Sequence, residues 1–201
     1  MPTLLHLSRE LAALAQAGLT YAADHYNTDR YARIHAIASE ILQIAKPLPD
    51  FRWPLERGYP TPKVDVRGLV FRDDQILLVK ETASGKWTAP GGFAEVNVSP
   101  AENVEKEVRE ESGYLVKARQ LTSVVDKERA GYLPDTLSIY KLYFLCDLLG
   151  GSPTPSTETS EVDFFPLKAL PDLDLHRVSP DEIIRGHRIH QGHDHPVPYF
   201  N

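Results

Sequence analysis

The sequence predicts an α/β fold of the α+β kind, a mixed-sheet sandwich preceded by a small helical hairpin. Three observations predict it. Apolar residues recur near the 3.6-residue period through the first 46 positions. From Lys63 onward, alternating β-branched residues replace that period. One capped helical stretch, from Ser99 to about Ser112, separates strand-like segments that otherwise meet in hairpins. The chain therefore divides into a helical hairpin at 1–46, a proline-rich linker at 47–62 and a larger domain at 63–201.

Size and composition bound this reading. The 201 residues suffice for an ordinary domain with a small appendage, and for a core without covalent staples. A hydrophobic fraction of 42% with 25% charged residues excludes disorder throughout. Cys146 is the only cysteine, so no internal disulfide can form, and a lone thiol fits a reducing cytosol. No apolar run reaches the roughly 18–20 residues that a bilayer requires. The N-terminal apolar patch lacks a basic leader and is broken by Arg9 and Glu10, unlike a signal peptide. A cytoplasmic location and no membrane partner are expected. Acidic residues outnumber basic ones, 28 to 22, for a net charge of −6. A non-specific duplex-DNA binder usually shows the opposite balance. An anionic phosphate partner would need positive charge from elsewhere, and a metal ion is the obvious source.

The elements follow in order. Leu4, Leu5, Leu7, Leu11, Leu14 and Ala15 form one helical stripe, with Gly18 as its expected stop. Ile34, Ile37, Ala38, Ile41, Leu42 and Ile44 form a second, from about Thr28 to Lys46, with Thr28 or Asp29 as its cap. Two helices alone make a poor core, so the hairpin should dock on the rest of the chain or on a second copy. Five of the sixteen prolines lie in 47–62, which excludes a helix or central strand there. Phe51, Trp53 and Tyr59 in that segment either pack on a domain surface or offer a stacking face to a base; Trp53 is the candidate for the latter. Val64–Phe71 and Gln75–Lys80 flank Asp73-Asp74 as a hairpin, and Trp87–Ala89 is a short strand. Tyr114–Val125, Leu137–Leu149 and Val162–Leu167 are further strands, and Pro180–His190 is a last helix.

The chemistry concentrates in Gly92–Tyr114, GFAEVNVSPAENVEKEVREESGY. Ser99 is a good N-cap, Pro100 suits the first turn, Glu102 completes a capping box and Gly113 fits the C-terminal stop. With Glu107 taken as zero, Glu111 falls at about +40° and Glu110 at about −60°, so the three carboxylates share an arc of roughly 100°. Val104 and Val108 form an apolar stripe beside them. Like charges at this spacing cost a few tenths of a kcal/mol per pair. That frustration is relieved if a divalent cation is held there, and an all-oxygen set suits Mg2+ or Mn2+. The upstream Gly91-Gly92 pair lets backbone approach a ligand, and a carbonyl there is a further candidate ligand.

These residues resemble the Nudix box. Gly92 is followed at the family spacing by Val98 and by Lys106-Glu107-Val108-Arg109-Glu110-Glu111-Ser112-Gly113-Tyr114. Two positions depart from the pattern: Val98 stands where the family usually has Glu, and Lys106 where it usually has Arg. Lys106 is then expected to pair with Glu102. The resemblance extends to Asp65-Val66-Arg67, Trp87–Gly92 and Tyr140–Cys146, and the N-terminal hairpin resembles the small domain of the branch acting on X-linked nucleoside diphosphates. It implies an α/β/α sandwich at 63–201 and a divalent-metal-dependent hydrolase cleaving NDP-X to NMP and phospho-X, with CDP-choline or ADP-ribose type substrates. It implies metal ligation by Glu107, Glu110 and Glu111, with the Gly91 carbonyl as a fourth ligand. Glu107 and Glu111 are the catalytic candidates. A distal acid is the alternative base, from among Asp126, Glu128, Asp135 and Glu158. Arg67, Lys80 and Arg129 are candidate phosphate contacts. The hairpin is expected to support a homodimer. The alternatives are an RNA-end processing hydrolase and a non-catalytic nucleotide sensor, the latter favoured only by Val98.

Other signals carry less. His187, His190, His193 and His195 match no standard zinc spacing and read as a solvated helix end. Cys146 lies in an apolar strand and reads as core. No GxxxxGK[ST], HExxH or GxSxG motif occurs.

Overall fold

The computed structural model describes residues 3–45, 48, 50–193 and 197–201, and separates into two compact units, Met1–Pro62 and Lys63–Asn201. In the first unit, α1 (Leu4–Tyr21) and α2 (His25–Ala45) form a hairpin. Thr3 caps α1 through a capping box with His6. The helix does not stop at Gly18. A Cβ there would overlap the Tyr31 ring, so this glycine serves the close approach of the two helices. Helix α2 also starts earlier than expected, because Asp24 Oδ1 accepts the Asn27 N–H at 2.8 Å and takes the cap expected of Thr28 or Asp29. Its expected last residue, Lys46, lies outside the described residues.

The proline-rich segment is more than a spacer. Trp53 is buried with Leu5, Ala12, Ala38 and Leu42, and Phe51 packs edge-on to it at 5.1 Å. The Trp53 indole N–H donates to Ser8 Oγ at 2.9 Å, and its backbone N–H donates to Ser39 Oγ at 3.1 Å. Two helices bury only part of their apolar faces against each other, and this strap covers a further part. The expectation that Trp53 stacks on substrate is therefore corrected: its ring faces are spent in the core of the helical unit.

The second unit is built on a mixed seven-stranded sheet. Its strands are β1 (Lys63–Arg72), β2 (Gln75–Glu81), β3 (Trp87–Thr88), β4 (Tyr114–Asp126), β5 (Ile139–Gly151), β6 (Thr159–Pro166) and β7 (Tyr199–Phe200). The order is β3-β2-β1-β5-β4-β7, with β6 on β2. Strands β1 and β5 pair in parallel from Lys63↔Ile139 to Val70↔Cys146, while β4 and β5 are antiparallel. Helix α3 (Pro100–Ser112) sets Val104 and Val108 in a cluster with Val66, Val70 and Phe144. Helix α4 (Pro180–His190) sets Ile183 and Ile189 in a second cluster with Leu69 and Phe71. The period-2 alternation of β1 thus feeds two cores, one under each helix, which makes an α/β/α sandwich. Strand β7 was not foreseen; two residues carry no periodic signal.

Candidate active site

The site is assembled where α3 meets a strip of backbone on β1. Pro90–Gly92 lies along β1: Gly68 N–H donates to the Pro90 carbonyl at 2.9 Å and Val66 N–H to the Gly92 carbonyl at 2.8 Å. The intervening Gly91 carbonyl accepts no hydrogen bond among the described residues. Gly91 sits at φ +145°, which side chains rarely adopt, and a Cβ there would overlap the Val66 carbonyl. Only glycine lets the strip lie this close.

Local sequence fixes α3 over the strip. Ser99 and Glu102 form the expected capping box. Gly113, at φ +77°, closes the last turn by donating to the Arg109 carbonyl. With Val104 and Val108 fully buried, the helix has one rotation, and that rotation turns Glu107 and Glu111 to the glycine strip. Gly91 N–H donates to Glu111 Oε2 at 2.9 Å. A Cβ on Gly92 would stand 3.2 Å from Glu107 Oε2. Glu110 is exposed instead, 3.6 Å from the Lys106 ammonium.

The electrostatics of the acids follow from this placement. Burial pushes the Glu111 carboxyl up to about 7; Arg67 and the Gly91 N–H pull it down, while Glu107 and Glu81 add to the rise. Burial also raises Glu107, against the pull of Lys106 and with the push of Glu110. A buried cluster lies beside them. The Arg67 guanidinium donates to both Asp65 oxygens at 2.8 and 3.2 Å and to the Ala89 carbonyl at 3.1 Å. Lys141 Nζ donates to Asp65 at 2.6 Å. Burial alone would raise Asp65, but the Arg67 and Lys141 charges hold its carboxyl below the usual range. Burial and the Arg67 charge lower Lys141 to about 8.

A cleft of about 730 Å³ opens over these residues, lined by Arg67, Gly91, Glu107, Glu110 and Glu111 as expected. Asp135 and Glu158 also line it, whereas Asp126 and Glu128 do not. Asp126 Oδ1 instead accepts the N–H groups of Glu128 and Arg129 in a turn.

Several expectations are corrected. Arg67 lines the cleft but is 2% exposed and gives Nε, Nη1 and Nη2 one hydrogen bond each to Asp65 or Ala89, which leaves little of it for the phosphate contact expected. Lys80 is paired with Glu161 at 2.7 Å, outside the cleft. Arg129 is an exposed turn residue, also outside it. Lys106 pairs with Glu95 at 2.6 Å and not with Glu102, whose carboxylate is occupied at the cap. Glu95 thus ties the loop to the helix through Lys106. Sequence reasoning missed Glu95, Lys127 and Arg177, all of which line the cleft. An acid three residues before Val98 was a signal for Glu95; nothing local marked the other two. His187 bonds Asp74 at 3.1 Å and His190 stacks on Phe71, while His195 lies outside the described residues.

The donor set fits a hard divalent cation. It offers oxygens only, one unclaimed carbonyl, and two partly desolvated carboxylates whose charges repel. Among the described residues no three acid, imidazole or thiol groups yet converge to hold one ion, with Glu110 turned towards Lys106.

Comparison with known proteins shows what the chain is similar to. The model of the NUDIX domain matches residues 61–186. A second model, the UDP-X-like N-terminal oligomerisation domain, matches residues 2–49. A Bacillus subtilis protein named "Putative ADP-ribose pyrophosphatase YjhB" is 39% identical over 184 residues, covering 89% of this chain and 88% of that protein. The crystal structure of a UDP-X diphosphatase covers 97% of this chain and 96% of its own, at 30% identity and a TM-score of 0.65. That of an ADP-ribose pyrophosphatase from Streptococcus suis covers 70% of this chain and all of its own, at 36% identity and a TM-score of 0.64.

Proposed function

The chain belongs to the NUDIX family of hydrolases, and from that premise we propose that it hydrolyses the pyrophosphate bond of nucleoside diphosphates linked to a second moiety, NDP-X to NMP and phospho-X. The observation that carries this is the apposition of Glu107 and Glu111 to the Gly91–Gly92 strip at the edge of the cleft. ADP-ribose and UDP-linked compounds are the first substrates to try, since relatives bear those names, followed by CDP-choline.

Hydrolases of this family generally use divalent metal ions. Glu107, Glu111 and the Gly91 carbonyl would hold Mg2+ or Mn2+, with Glu110 joining once it leaves Lys106. Such an ion supplies charge neutralisation at the phosphoryl oxygens and lowers the pKa of a bound water. The chain's own residues do the rest. The glycine strip places backbone against the diphosphate without side-chain interference. Water adds to one phosphorus, the bridging P–O bond breaks, and the water's proton passes to a carboxylate oxygen. Glu107, with its raised pKa, is the first candidate for that base, and Glu158 the second.

The helical unit supports a homodimer in this reading. Its match is described as an oligomerisation domain, and Leu4, Leu14, Tyr26 and Ile44 leave an apolar surface exposed. No described helix is long and apolar enough to cross a membrane, and a cytoplasmic location remains part of the proposal.

The test is nucleotide release from a panel of nucleoside diphosphate derivatives and 5′-diphosphate RNA, with Mg2+ or Mn2+, repeated with Glu111→Gln and with a chelator. Turnover lost in both repeats supports the reading. Binding without turnover of any compound favours the sensor.

A further inference from the structure

Among the described residues four Lys and Arg side chains line the cleft, and three of them are engaged in hydrogen bonds to protein groups. Arg67 is buried and donates through Nε, Nη1 and Nη2. Lys106 donates to Glu95. Lys127, its side chain 5% exposed, donates to Asp135 at 2.6 Å.

Arg177 differs from all three. Its side chain is 41% exposed, and its guanidinium stands 3.3 Å from Glu81 and 3.8 Å from Asp174. Among the described residues it donates no side-chain hydrogen bond, since neither approach has hydrogen-bonding geometry. A guanidinium carries five N–H donors in a fixed fork suited to phosphate oxygens. The backbone beneath it is held firmly. Arg177 N–H donates to the Asp174 carbonyl at 2.8 Å, and its own carbonyl accepts from the Tyr143 hydroxyl at 3.2 Å. Asp174 N–H in turn donates to the Trp87 carbonyl at 2.8 Å.

Glu81 explains why the side chain stays. It is buried, 5% exposed, and its Oε1 has no hydrogen-bond partner. Such a carboxylate is costly unless a cation faces it, and Arg177 is the cation there. Glu81 also lies near enough to Glu111 for its charge to act on that carboxyl. Arg177 is therefore anchored on the charge side by a residue neighbouring the acid site, while its donors lie open to the cleft.

We propose that Arg177 is the substrate-binding cation of the cleft, taking phosphoryl oxygens of the diphosphate through its open guanidinium, and that Glu81 is the positioning residue that holds it there. This rests on reading the site as one for a diphosphate. The rival is a structural pair in which Arg177 only neutralises Glu81. Asp65–Arg67 shows what such a pair looks like in this protein: buried, bidentate and hydrogen-bonded.

The full chain, with Mg2+ present, is titrated calorimetrically with the non-hydrolysable α,β-methylene analogue of ADP-ribose and assayed on ADP-ribose. Arg177→Ala is expected to weaken analogue binding and raise KM roughly 10–100-fold, the loss of a charge-assisted contact, with kcat within a few-fold. Free guanidinium should restore part of the binding. Glu81→Gln should weaken binding by a smaller factor, about 3–10-fold, without altering the Mg2+ concentration needed. Analogue binding unchanged in Arg177→Ala overturns the proposal, whatever happens to the melting temperature. Wild-type protein that binds the analogue but hydrolyses nothing overturns the hydrolase reading alone, and Arg177→Ala then still decides this one. Wild-type protein that binds neither this analogue nor the α,β-methylene analogues of a UDP-linked compound and of CDP-choline overturns both; if it binds one of those, the Arg177→Ala comparison is made with that analogue.

Discussion

Two charge clusters share the cleft and are built in opposite ways. In the first, Asp65 is saturated by Arg67 and Lys141, all three nearly inaccessible to water. In the second, Glu107 and Glu111 are pushed together and partly desolvated, with only a backbone N–H and the more distant Arg67 charge to relieve Glu111. The first gives its one buried carboxylate two hydrogen-bonded cations, and the surplus positive charge shows in the lowered Lys141. The second leaves charge unsatisfied. A protein that spends stability on frustrated carboxylates reserves them for something absent from the chain itself, and the neighbouring saturated cluster shows that this fold can pair buried charges when pairing suffices.

Breaking the saturated cluster should have the largest effect. Asp65→Ala leaves Arg67 and Lys141 buried without a counter-charge, and urea unfolding should show a loss of about 3–5 kcal/mol. Unfolding at the wild-type midpoint would show that the cluster is not structural.

The frustrated cluster should respond in activity instead. Glu111→Gln keeps the shape and the acceptor for Gly91 N–H, so kcat should fall on the order of 10²–10³-fold, about 3–4 kcal/mol of barrier, with no fall in melting temperature. A variant that melts early and turns over normally would invert the contrast.

Its pH dependence sharpens the point. The folded Glu111 carboxyl sits at about 7, above its ordinary 4.5, so the stability tied to its protonated form is complete below the unfolded value and lost as pH rises through 7. In metal-free buffer at pH 8, Glu111→Gln should therefore be more stable than the parent by roughly 1–3 kcal/mol, with the two converging near pH 4. Added Mg2+ should narrow the gap at pH 8, read by thermal melts. A parent that is more stable than the variant at pH 8 without metal would contradict the frustration.

Smaller effects test the frame around both clusters. Ser99→Ala removes the cap that starts α3 and should cost about 1 kcal/mol. Lys80→Ala, which breaks an exposed pair with Glu161 away from the cleft, should change stability by no more than about 1 kcal/mol and leave KM unchanged. A raised KM would return Lys80 to the substrate.

How much of this was legible depends on how far apart the partners lie in sequence. The start, stop and rotation of α3 were readable because cap, stripe and carboxylates repeat within 13 residues. The strand pairs of the β1–β2 hairpin were readable for the same reason. Gly18 was misread because a glycine inside a helix and one after it look alike until Tyr31 arrives from the other helix. Trp53 was misread because its hydrogen-bond acceptor, Ser8, and its packing partners come from both helices. Lys106 was given to Glu102 by helical spacing, but that carboxylate was already engaged at the cap and Glu95 reached over from the loop.

The linear order of residues by itself determined the capped helix that carries the acids, which is set by interactions within a turn or two of backbone, and, through composition and hydrophobic period, the glycine pair upstream and the two-part division of the chain. Which cations are free to meet a substrate was decided only by the tertiary structure. Arg67, Lys80 and Arg177 look equivalent as letters, and they differ in what the fold sets beside them: Asp65 on the same strand and the Ala89 carbonyl engage Arg67, Glu161 engages Lys80, and Glu81 of β2 holds Arg177 without a hydrogen bond.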